Sequence, residues 1–337
     1  MVETEGAWRV ETRVGDGTAG NMNGPAEVVA PLGRPTGVAV MADGTIVLAD
    51  AVSNKILAID PEGRAVRTLA GTGATGRVDG PGATATFNAP DSICVAPDGS
   101  LVVAEALNGS LRRLRVGEDG AVTVSTITTA LQYPGAVTHG PDGAIYVTES
   151  GHPSFSSLGS HRIRKIVLAT DGTPTITTLA GAAKGDAEGV GTAARFDRPT
   201  GIAVAADGTI YVADAENHRL RKLVVNAQGT ATVTTLAGAE PNRGGTTLAT
   251  ARFNRPTGIA IDAAGRLVVT DYWNHRIQAL SLADGTVTTL AGLTGDGYSD
   301  GPIAQARFSR PVALAFDKAG AILVVDAHPY GVRKVSP

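Results

Sequence analysis

The sequence predicts an all-β fold, a six-bladed β-propeller of four-stranded antiparallel blades, and two observations carry that prediction. First, one pattern recurs six times along the 337 residues: a proline, a glycine nine residues later and a carboxylate fifteen residues later. Second, each recurrence contains four short segments of strand-forming residues, and a ring of such units is a propeller. The prolines are Pro35, Pro90, Pro134, Pro199, Pro256 and Pro311, and the carboxylates are Asp50, Glu105, Glu149, Asp214, Asp271 and Asp326.

The composition agrees with this class and argues against others. Glycine accounts for 43 residues, which suits a chain with many turns, and 43% of the chain is hydrophobic, enough for a packed core. No run of 18 apolar residues occurs, so no membrane-spanning helix is expected. A net charge of −3 argues against a nucleic-acid partner, because such proteins usually carry a basic excess. The one cysteine, Cys94, excludes an internal disulfide and is expected to be a buried, inert thiol.

The unit that begins at Pro199 shows the four strands most clearly. Residues 201–205 form a short apolar segment before an Asp-Gly turn, and residues 209–214 form a second segment rich in strand-forming residues. Residues 219–223 supply a third strand, and residues 232–236 supply a fourth that alternates between apolar and polar side chains. We label these strands a to d, and expect strand a at the axis of the ring and strand d at its outer edge.

The two ends of the chain are predicted to share one blade. The sixth unit ends after its third strand, while residues 8–15 resemble residues 286–292, the outer strand of the fifth unit. We therefore predict that residues 7–15 complete the last blade and close the ring, which removes the exposed sheet edges of an open array. Residues 1–337 are expected to form a single domain, with blades 1 to 6 beginning near residues 35, 90, 134, 199, 256 and 311.

A family resemblance can be stated on the motifs of the fourth and fifth units. Arg-Pro-Thr-Gly-Ile-Ala opens both units, and Asn-His-Arg-Leu at 217–220 and Asn-His-Arg-Ile at 274–277 follow strand b. With these motifs the chain resembles the NHL-repeat family, which implies a propeller over nearly the whole chain. The third unit keeps only His-Arg-Ile at 161–163, and the first, second and sixth units depart further. The resemblance implies little about activity, because propellers carry unrelated functions.

The carboxylates that end strand b have two interpretations. They form an acidic ring at one mouth of the channel, or each accepts backbone N–H bonds in its own turn, as turn aspartates do. Glu105 and Glu149 are longer than the aspartates of the other units, so these two are expected to point at a ligand more readily. Asp91 replaces the threonine found at the start of strand a in other units, and with Glu105 and Glu149 it forms a candidate catalytic cluster.

Two further sets of charged residues are candidates for ligand or cation binding. Four arginines precede unit prolines, where they either recognise an anionic ligand or pair with neighbouring carboxylates: Arg34, Arg198, Arg255 and Arg310. The glycine-rich loop before blade 6 carries Asp296 and Asp300, which are conceivable ligands of a divalent cation such as Ca²⁺. A compact structural loop is the alternative there, and no cofactor is certain.

The repeat is least regular in blades 2 and 3. The unit spacing falls to 44 residues between Pro90 and Pro134, and the b–c loop of blade 3 gains eight residues. Since b–c and d–a loops of a meander lie on one face of the disc, the top face, this loop forms a flap there. The candidate ligand-binding residues of the top face are His152, Phe155, Tyr272, Trp273, His328 and Tyr330.

Two functions remain open at this point, with a third behind them. The chain is a binding module that presents its top face to a small molecule, peptide or protein, because exposed Tyr and Trp suit binding hot spots. Alternatively it is a small-molecule hydrolase, lyase or isomerase with a central carboxylate-lined pocket, with or without a divalent metal. The near identity of blades 4 and 5 also suits an amplified or engineered scaffold without a ligand.

The remaining expectations concern surroundings. We expect a soluble monomer that binds neither nucleic acid nor membrane. Because the first residues lack an apolar stretch, the expected location is the cytoplasm, or outside the cell if a signal peptide has been removed.

Overall fold

The strands form six antiparallel sheets arranged as the blades of a propeller around one channel, as the repeat predicts. The computed structural model describes residues 8–15, 24–25, 32–63, 65–151, 160–292, 295–328 and 330–336. In each blade, strands a to d follow one another outwards, with strand a at the channel.

The strand boundaries follow the recurring pattern. Strands a are Pro35–Val40, Pro90–Val95, Pro134–His139, Pro199–Val204, Pro256–Ile261 and Pro311–Phe316. Strands b are Ile46–Asp50, Leu101–Glu105, Ile145–Glu149, Ile210–Asp214, Leu267–Asp271 and Ile322–Ala327. Strands c are Lys55–Ile59, Ser110–Val116, Arg162–Leu168, Arg219–Val225, Arg276–Leu280 and Tyr330–Ser336. Strands d are Ala65–Ala70, Val122–Thr128, Pro174–Gly181, Ala231–Gly238, Val287–Ala291 and, for blade 6, Arg9–Val14.

Short elements complete the blades. Two-residue strands from the d–a crossings pair outside strand d in four blades: Gly24–Pro25, Gly80–Pro81, Gly189–Val190 and Gly301–Pro302. The helices of the described ranges are 3-10 turns of three residues, and none is long and apolar enough to cross a membrane: Gly191–Ala193, Ala215–Asn217 and Tyr272–Asn274.

The core is divided among the interfaces between neighbouring blades. Strand b is buried from its first residue to its carboxylate in every blade, because neighbouring blades cover both of its faces. The residue three positions before each strand a is a large buried side chain that anchors the d–a crossing. These side chains are Leu32, Phe87, Leu131, Phe196, Phe253 and Phe308.

The N-terminal strand closes the ring, and this prediction is confirmed. Arg9–Val14 pairs antiparallel with strand c of blade 6, and Val10 lies opposite Val335. Val10 is fully buried and packs in the core shared by blades 5 and 6. The last blade therefore joins both ends of the described chain, which leaves no unpaired sheet edge at the junction.

Candidate functional site

A central channel with a volume of about 780 Å³ runs between the six a strands. This volume lies within the range of small-molecule pockets, roughly 300–1,000 Å³. Because strand a begins at the top face, its first residues line the top-face mouth and its last residues line the far end. Valine and isoleucine side chains dominate the far end, so the charged residues of the channel are concentrated at the mouth: Arg34, Asp91, Arg198 and Arg255.

Arg198 and Arg255 are close to each other and share one carboxylate. The guanidinium of Arg255 contacts Glu216 Oε1 at 2.9 Å, and that of Arg198 contacts the same oxygen at 3.6 Å. Burial lowers the pKa of Arg198, and the positive charge of Arg255 lowers it further. With Arg34 these are three guanidinium groups beside two carboxylates, Glu216 and Asp91, so the mouth has an excess of positive charge that favours an anion.

Asp91 is the one carboxylate among the residues that line the channel in the described part of the chain. It stands at the repeat position of Thr36 and Thr200. Burial raises the pKa of the Asp91 carboxyl, while the charges of Arg34 and Arg198 and a hydrogen bond from Thr36 oppose that rise. A carboxyl in this environment is able to exchange a proton with a ligand held in the channel.

Tyr272 and Trp273 lie on the b–c turn of blade 5, beside these arginines. Tyr272 lines the channel at a repeat position that is alanine or serine in the other five blades. Its ring meets Trp273 edge to face, with centroids 5.0 Å apart. The guanidinium of Arg255 lies 5.0 Å from the Tyr272 centroid, and that of Arg310 lies 5.0 Å from the Trp273 centroid. The two aromatic residues therefore hold two of the four predicted arginines at the top face.

Apolar side chains stand exposed on an arc of b–c turns around this mouth. Trp273 of blade 5 is 42% exposed, Val52 of blade 1 is 62% exposed and Leu107 of blade 2 is 54% exposed. All three follow the strand b carboxylate by two residues, and the same position in blade 6 is the exposed His328. Blades 5, 6, 1 and 2 are consecutive around the ring, so these four residues lie on one arc of the top face, which we call the apolar arc and in which His328 is the polar member.

Glu105 and Glu149 do not join Asp91, contrary to the expected acidic cluster. Both are fully buried and absent from the channel wall. Glu105 accepts hydrogen bonds from the backbone N–H of Asn88 at 2.9 Å and from the Ser110 hydroxyl at 2.6 Å. Glu149 is bonded equivalently, by the N–H of Gln132 and the hydroxyl of Ser160. Each glutamate thus keeps the turn-bonding role of the aspartates with one carboxylate oxygen, while its other oxygen accepts from a serine hydroxyl.

Arginines at one repeat position of strand c complete these carboxylate sites; Arg112, Arg221 and Arg333 are fully buried, Arg164 is half-buried, and the sequence pattern alone did not predict the pairs. Arg221 is fully buried and contacts Asp214 Oδ2 at 2.9 Å. Burial raises the pKa of Asp214 to about 6, and the arginine opposes this by favouring the charged carboxylate. The signal was a basic residue at one repeat position of strand c, and the other pairs of this kind are Arg112–Glu105, Arg164–Glu149 and Arg333–Asp326.

Of the remaining predicted ligand-binding residues, Tyr330 and His328 do not line the channel. Tyr330 begins strand c of blade 6 and packs half-buried against the core between blades 6 and 1. His328 lies on the apolar arc, and its backbone N–H donates to the Ser309 carbonyl. His152 and Phe155 lie outside the described residues. The structure therefore brings together Asp91, Tyr272 and the mouth arginines, with Trp273 beside them.

The two aspartates considered for Ca²⁺ both contact neighbouring side chains, Asp300 with Arg333 and Asp296 with His275. Asp300 Oδ1 accepts from Arg333 Nη2 at 2.6 Å and from the Thr12 hydroxyl at 3.0 Å, so a guanidinium already occupies the carboxylate. Across the described ranges, no three His, Cys, Asp or Glu side chains converge as metal ligands would. Calcium binding by this loop therefore stays a prediction.

Comparison with known proteins places these features among repeat propellers. The NHL repeat matches residues 196–223 and 253–280, which span strands a to c of blades 4 and 5. The chain is 25% identical over 287 residues to Protein SUPPRESSOR OF QUENCHING 1, chloroplastic, of Arabidopsis thaliana, covering 79% of this chain and 27% of that protein. It is 28% identical over 293 residues to human NHL repeat-containing protein 2, covering 76% of this chain and 40% of that protein. The chain thus spans less than half the length of these curated relatives.

Solved structures share the fold at low sequence identity. A Bacteroides thetaiotaomicron protein of unknown function superposes with a TM-score of 0.77 at 17% identity, covering 98% of this chain and 76% of that chain. A gluconolactonase from Xanthomonas campestris superposes with a TM-score of 0.63 at 18% identity, covering 97% of this chain and 89% of that chain. At these identities the likeness concerns the fold alone.

Proposed function

Because the chain belongs to the NHL-repeat family of β-propellers, we propose that it is a binding module whose top face takes an acidic segment of a protein partner. The observation that carries the proposal is the excess of positive charge at the mouth, where Arg34, Arg198 and Arg255 outnumber the carboxylates Asp91 and Glu216. An acidic side chain of a partner supplies negative charge that balances this excess.

The apolar arc favours a polypeptide over a small anion. Trp273, Val52 and Leu107 lie on the rim outside the channel, where a molecule confined to the channel does not cover them. A peptide with apolar side chains between its acidic ones contacts both the rim and the arginines. Trp and Arg are also the residues most enriched at binding hot spots.

Titration calorimetry with two synthetic peptides tests this function. One peptide alternates glutamate with phenylalanine, and the other alternates lysine with phenylalanine. We expect the glutamate peptide to bind and the lysine peptide to fail, with affinity that falls as salt is raised, because rim charges are screened. Equal binding of both peptides, or of neither, would contradict the proposal.

Variants at the channel mouth and on the apolar arc test, by the same calorimetry, which residues bind the peptide. Arg255→Gln is expected to weaken the glutamate peptide about tenfold and Trp273→Ala about thirtyfold, the sizes of a contributing residue and a hot spot. Arg115→Gln and Val224→Ala are matched controls, because both residues are exposed but lie on strand c, away from the top face. Controls that weaken binding as much as the test variants would remove the assignment of the site.

A second candidate, hydrolysis of a small ester or lactone in the channel, is favoured by Asp91 alone. In that reaction Asp91 takes a proton from the attacking water, which adds to the carbonyl carbon. The ring C–O bond then breaks and the leaving oxygen receives the proton, while Arg34 and Arg198 stabilise the negative charge on the carbonyl oxygen. The gluconolactonase neighbour supplies a substrate to try, glucono-1,5-lactone.

Acid release from this lactone, followed at constant pH, tests the second candidate. We expect the wild-type chain to exceed the spontaneous rate and Asp91→Asn to return to it, a loss of about a hundredfold or more for a missing general base. Release at the spontaneous rate by the wild-type chain, or an unchanged rate in Asp91→Asn, would exclude this role for Asp91.

A further inference from the structure

Three histidines form hydrogen bonds across blade junctions to the backbone of the top-face arginines. The Nδ1 atom of His161 in blade 3 accepts from the backbone N–H of Arg198, which precedes strand a of blade 4, at 2.9 Å. The next blades repeat the contact: His218 accepts from the N–H of Arg255 at 3.0 Å, and His275 accepts from the N–H of Arg310 at 3.2 Å. We call these three contacts the histidine clips.

Each clip joins two residues in the left-handed region of backbone space. His218 has a φ of 55° and Arg255 has a φ of 57°. This conformation is unfavourable for residues other than glycine and persists only where neighbouring groups hold it. Because a proline follows each arginine, the right-handed helical alternative is also disfavoured. Ala89 and Tyr133 adopt the same conformation at their junctions, with φ of 51° and 48°, so the histidine bond adds to the groups that hold the arginine towards the top face.

At the other three junctions the facing residue is not histidine, and the residue before strand a is not a left-handed arginine. Where Ala89 takes the place of the arginine, the acceptor is the amide oxygen of Asn54, at 2.9 Å. Where Tyr133 takes that place, the facing residue is Gly109, so no side-chain clip forms between these two residues, and Tyr133 still has a φ of 48°. The N–H of Arg34 bonds to Asp50 of its own blade instead. Blade junctions can thus be built without histidine, and the three that use it are the three that present a left-handed arginine.

We infer that His161, His218 and His275 are positioning residues, which hold the top-face arginines in their binding arrangement only while the imidazoles are neutral. An Nδ1 atom that accepts a hydrogen bond carries a lone pair, so the proton of the neutral ring is on Nε2. Protonation fills that lone pair and places two N–H groups face to face; at His275 the new N–H also has a competing acceptor, Asp296 Oδ1 at 3.3 Å. The inference rests on the proposed function for its effect on binding, while the clips themselves can be tested without a ligand.

Burial lowers the pKa of all three imidazoles and keeps them neutral near pH 7. Charged groups that face each ring also raise or lower its pKa. They are Asp197, Lys184 and Arg198 for His161; Glu216, Glu240, Asp271 and Arg255 for His218; and Asp296, Arg243 and Arg310 for His275. Since the native pKa values lie below the unfolded value of about 6.5, the clips are intact above that pH and are lost as the pH falls through the native values.

The natural asparagine of blade 1 supplies the conservative variant. His218→Asn replaces the acceptor nitrogen with an amide oxygen that does not titrate, as at Asn54, whereas His218→Ala removes the acceptor. Hydrogen exchange of the Arg255 amide is the direct measurement. We expect exchange at least tenfold faster in His218→Ala and near the wild-type rate in His218→Asn. An Arg255 amide equally protected in His218→Ala would overturn the clip, whatever the ligand results.

The effect on binding is measured with a peptide of alternating cysteic acid and phenylalanine, because its sulfonates stay ionised across the pH range. Between pH 7.5 and 4.5 we expect the wild-type affinity to fall at least tenfold. The triple variant His161→Asn, His218→Asn and His275→Asn is expected to change less than threefold over the same range. Parallel pH profiles for the two proteins would overturn the coupling, whereas failure of the wild-type chain to bind at pH 7.5 would overturn the proposed function and leave the exchange result standing.

Discussion

Replacement of Arg221 by methionine is expected to lower the free energy of unfolding by about 3–5 kcal/mol, the usual result of breaking a buried ion pair on one side. Arg221 donates to Asp214 Oδ2 at 2.9 Å, and both side chains are fully buried. Without the guanidinium, the partner that Oδ2 of that carboxylate keeps among the described residues is the amide of Asn217. The charge then remains in the interior without its counter-ion.

The same arginine also holds the d–a crossing to the blade, which adds to the expected loss. Its Nη2 donates to the Ala187 carbonyl at 3.1 Å, and Nη1 donates to the Arg195 carbonyl at 3.3 Å. Its guanidinium lies 5.4 Å from the ring centroid of Phe196, which anchors the crossing. Methionine fills much of the volume but makes none of these hydrogen bonds, so the Arg195 carbonyl loses this donor, while the Ala187 carbonyl keeps the backbone N–H of Arg195 at 2.9 Å.

Equilibrium unfolding in urea measures this effect through the shift of the midpoint at constant slope. Arg219→Met is the matched control, because Arg219 is partly exposed and its contact with Asp186 is 3.6 Å long, so about 0–1 kcal/mol is expected. The double variant Arg221→Met with Asp214→Asn should recover part of the loss, since no buried charge remains. A cost below about 1 kcal/mol for Arg221→Met would contradict the role of the pair.

Val10→Asp is the second large effect, expected at about 4 kcal/mol or more, because it places an unpaired carboxylate inside the junction that closes the ring. Val10 is fully buried opposite Val335, in a core with Ile322 and Phe308. Displacement of Arg9–Val14 to hydrate the charge leaves blade 6 with three strands and exposes the edge of strand c.

Thermal unfolding and limited proteolysis together measure the closure. We expect a lower unfolding temperature for Val10→Asp and earlier cleavage within the N-terminal strand. Glu11→Thr is the control on the neighbouring residue, which is exposed, and should stay within about 0.5 kcal/mol of the wild-type chain. Wild-type stability and protease resistance in Val10→Asp would show that the ring does not depend on this strand.

The propeller could be predicted from the sequence because its physical causes are local and repeated. Each Pro-to-carboxylate segment encodes one hairpin through strand-forming residues and an Asp-Gly turn, and six copies leave few arrangements for the sheets. Even the closure by Arg9–Val14 could be read from the likeness of residues 8–15 to another outer strand. Repetition was less informative about the charged residues. An arginine recurs at one position of strand c, but its recurrence alone does not show whether it forms a buried ion pair or lies in solvent.

What the sequence by itself determined is the ring, its strands and the top-face position of the residues on b–c turns. Only the tertiary structure decided which charged groups share an environment. Glu105 and Glu149 turned inwards to backbone N–H groups and serines, while Asp91, Arg198 and Arg255, from three different blades, came together at the channel mouth. The physical reason is separation along the chain. A strand or turn depends on residues a few positions apart. The pairing of a charged group depends on residues of other blades, which only the folded ring brings within a few ångströms.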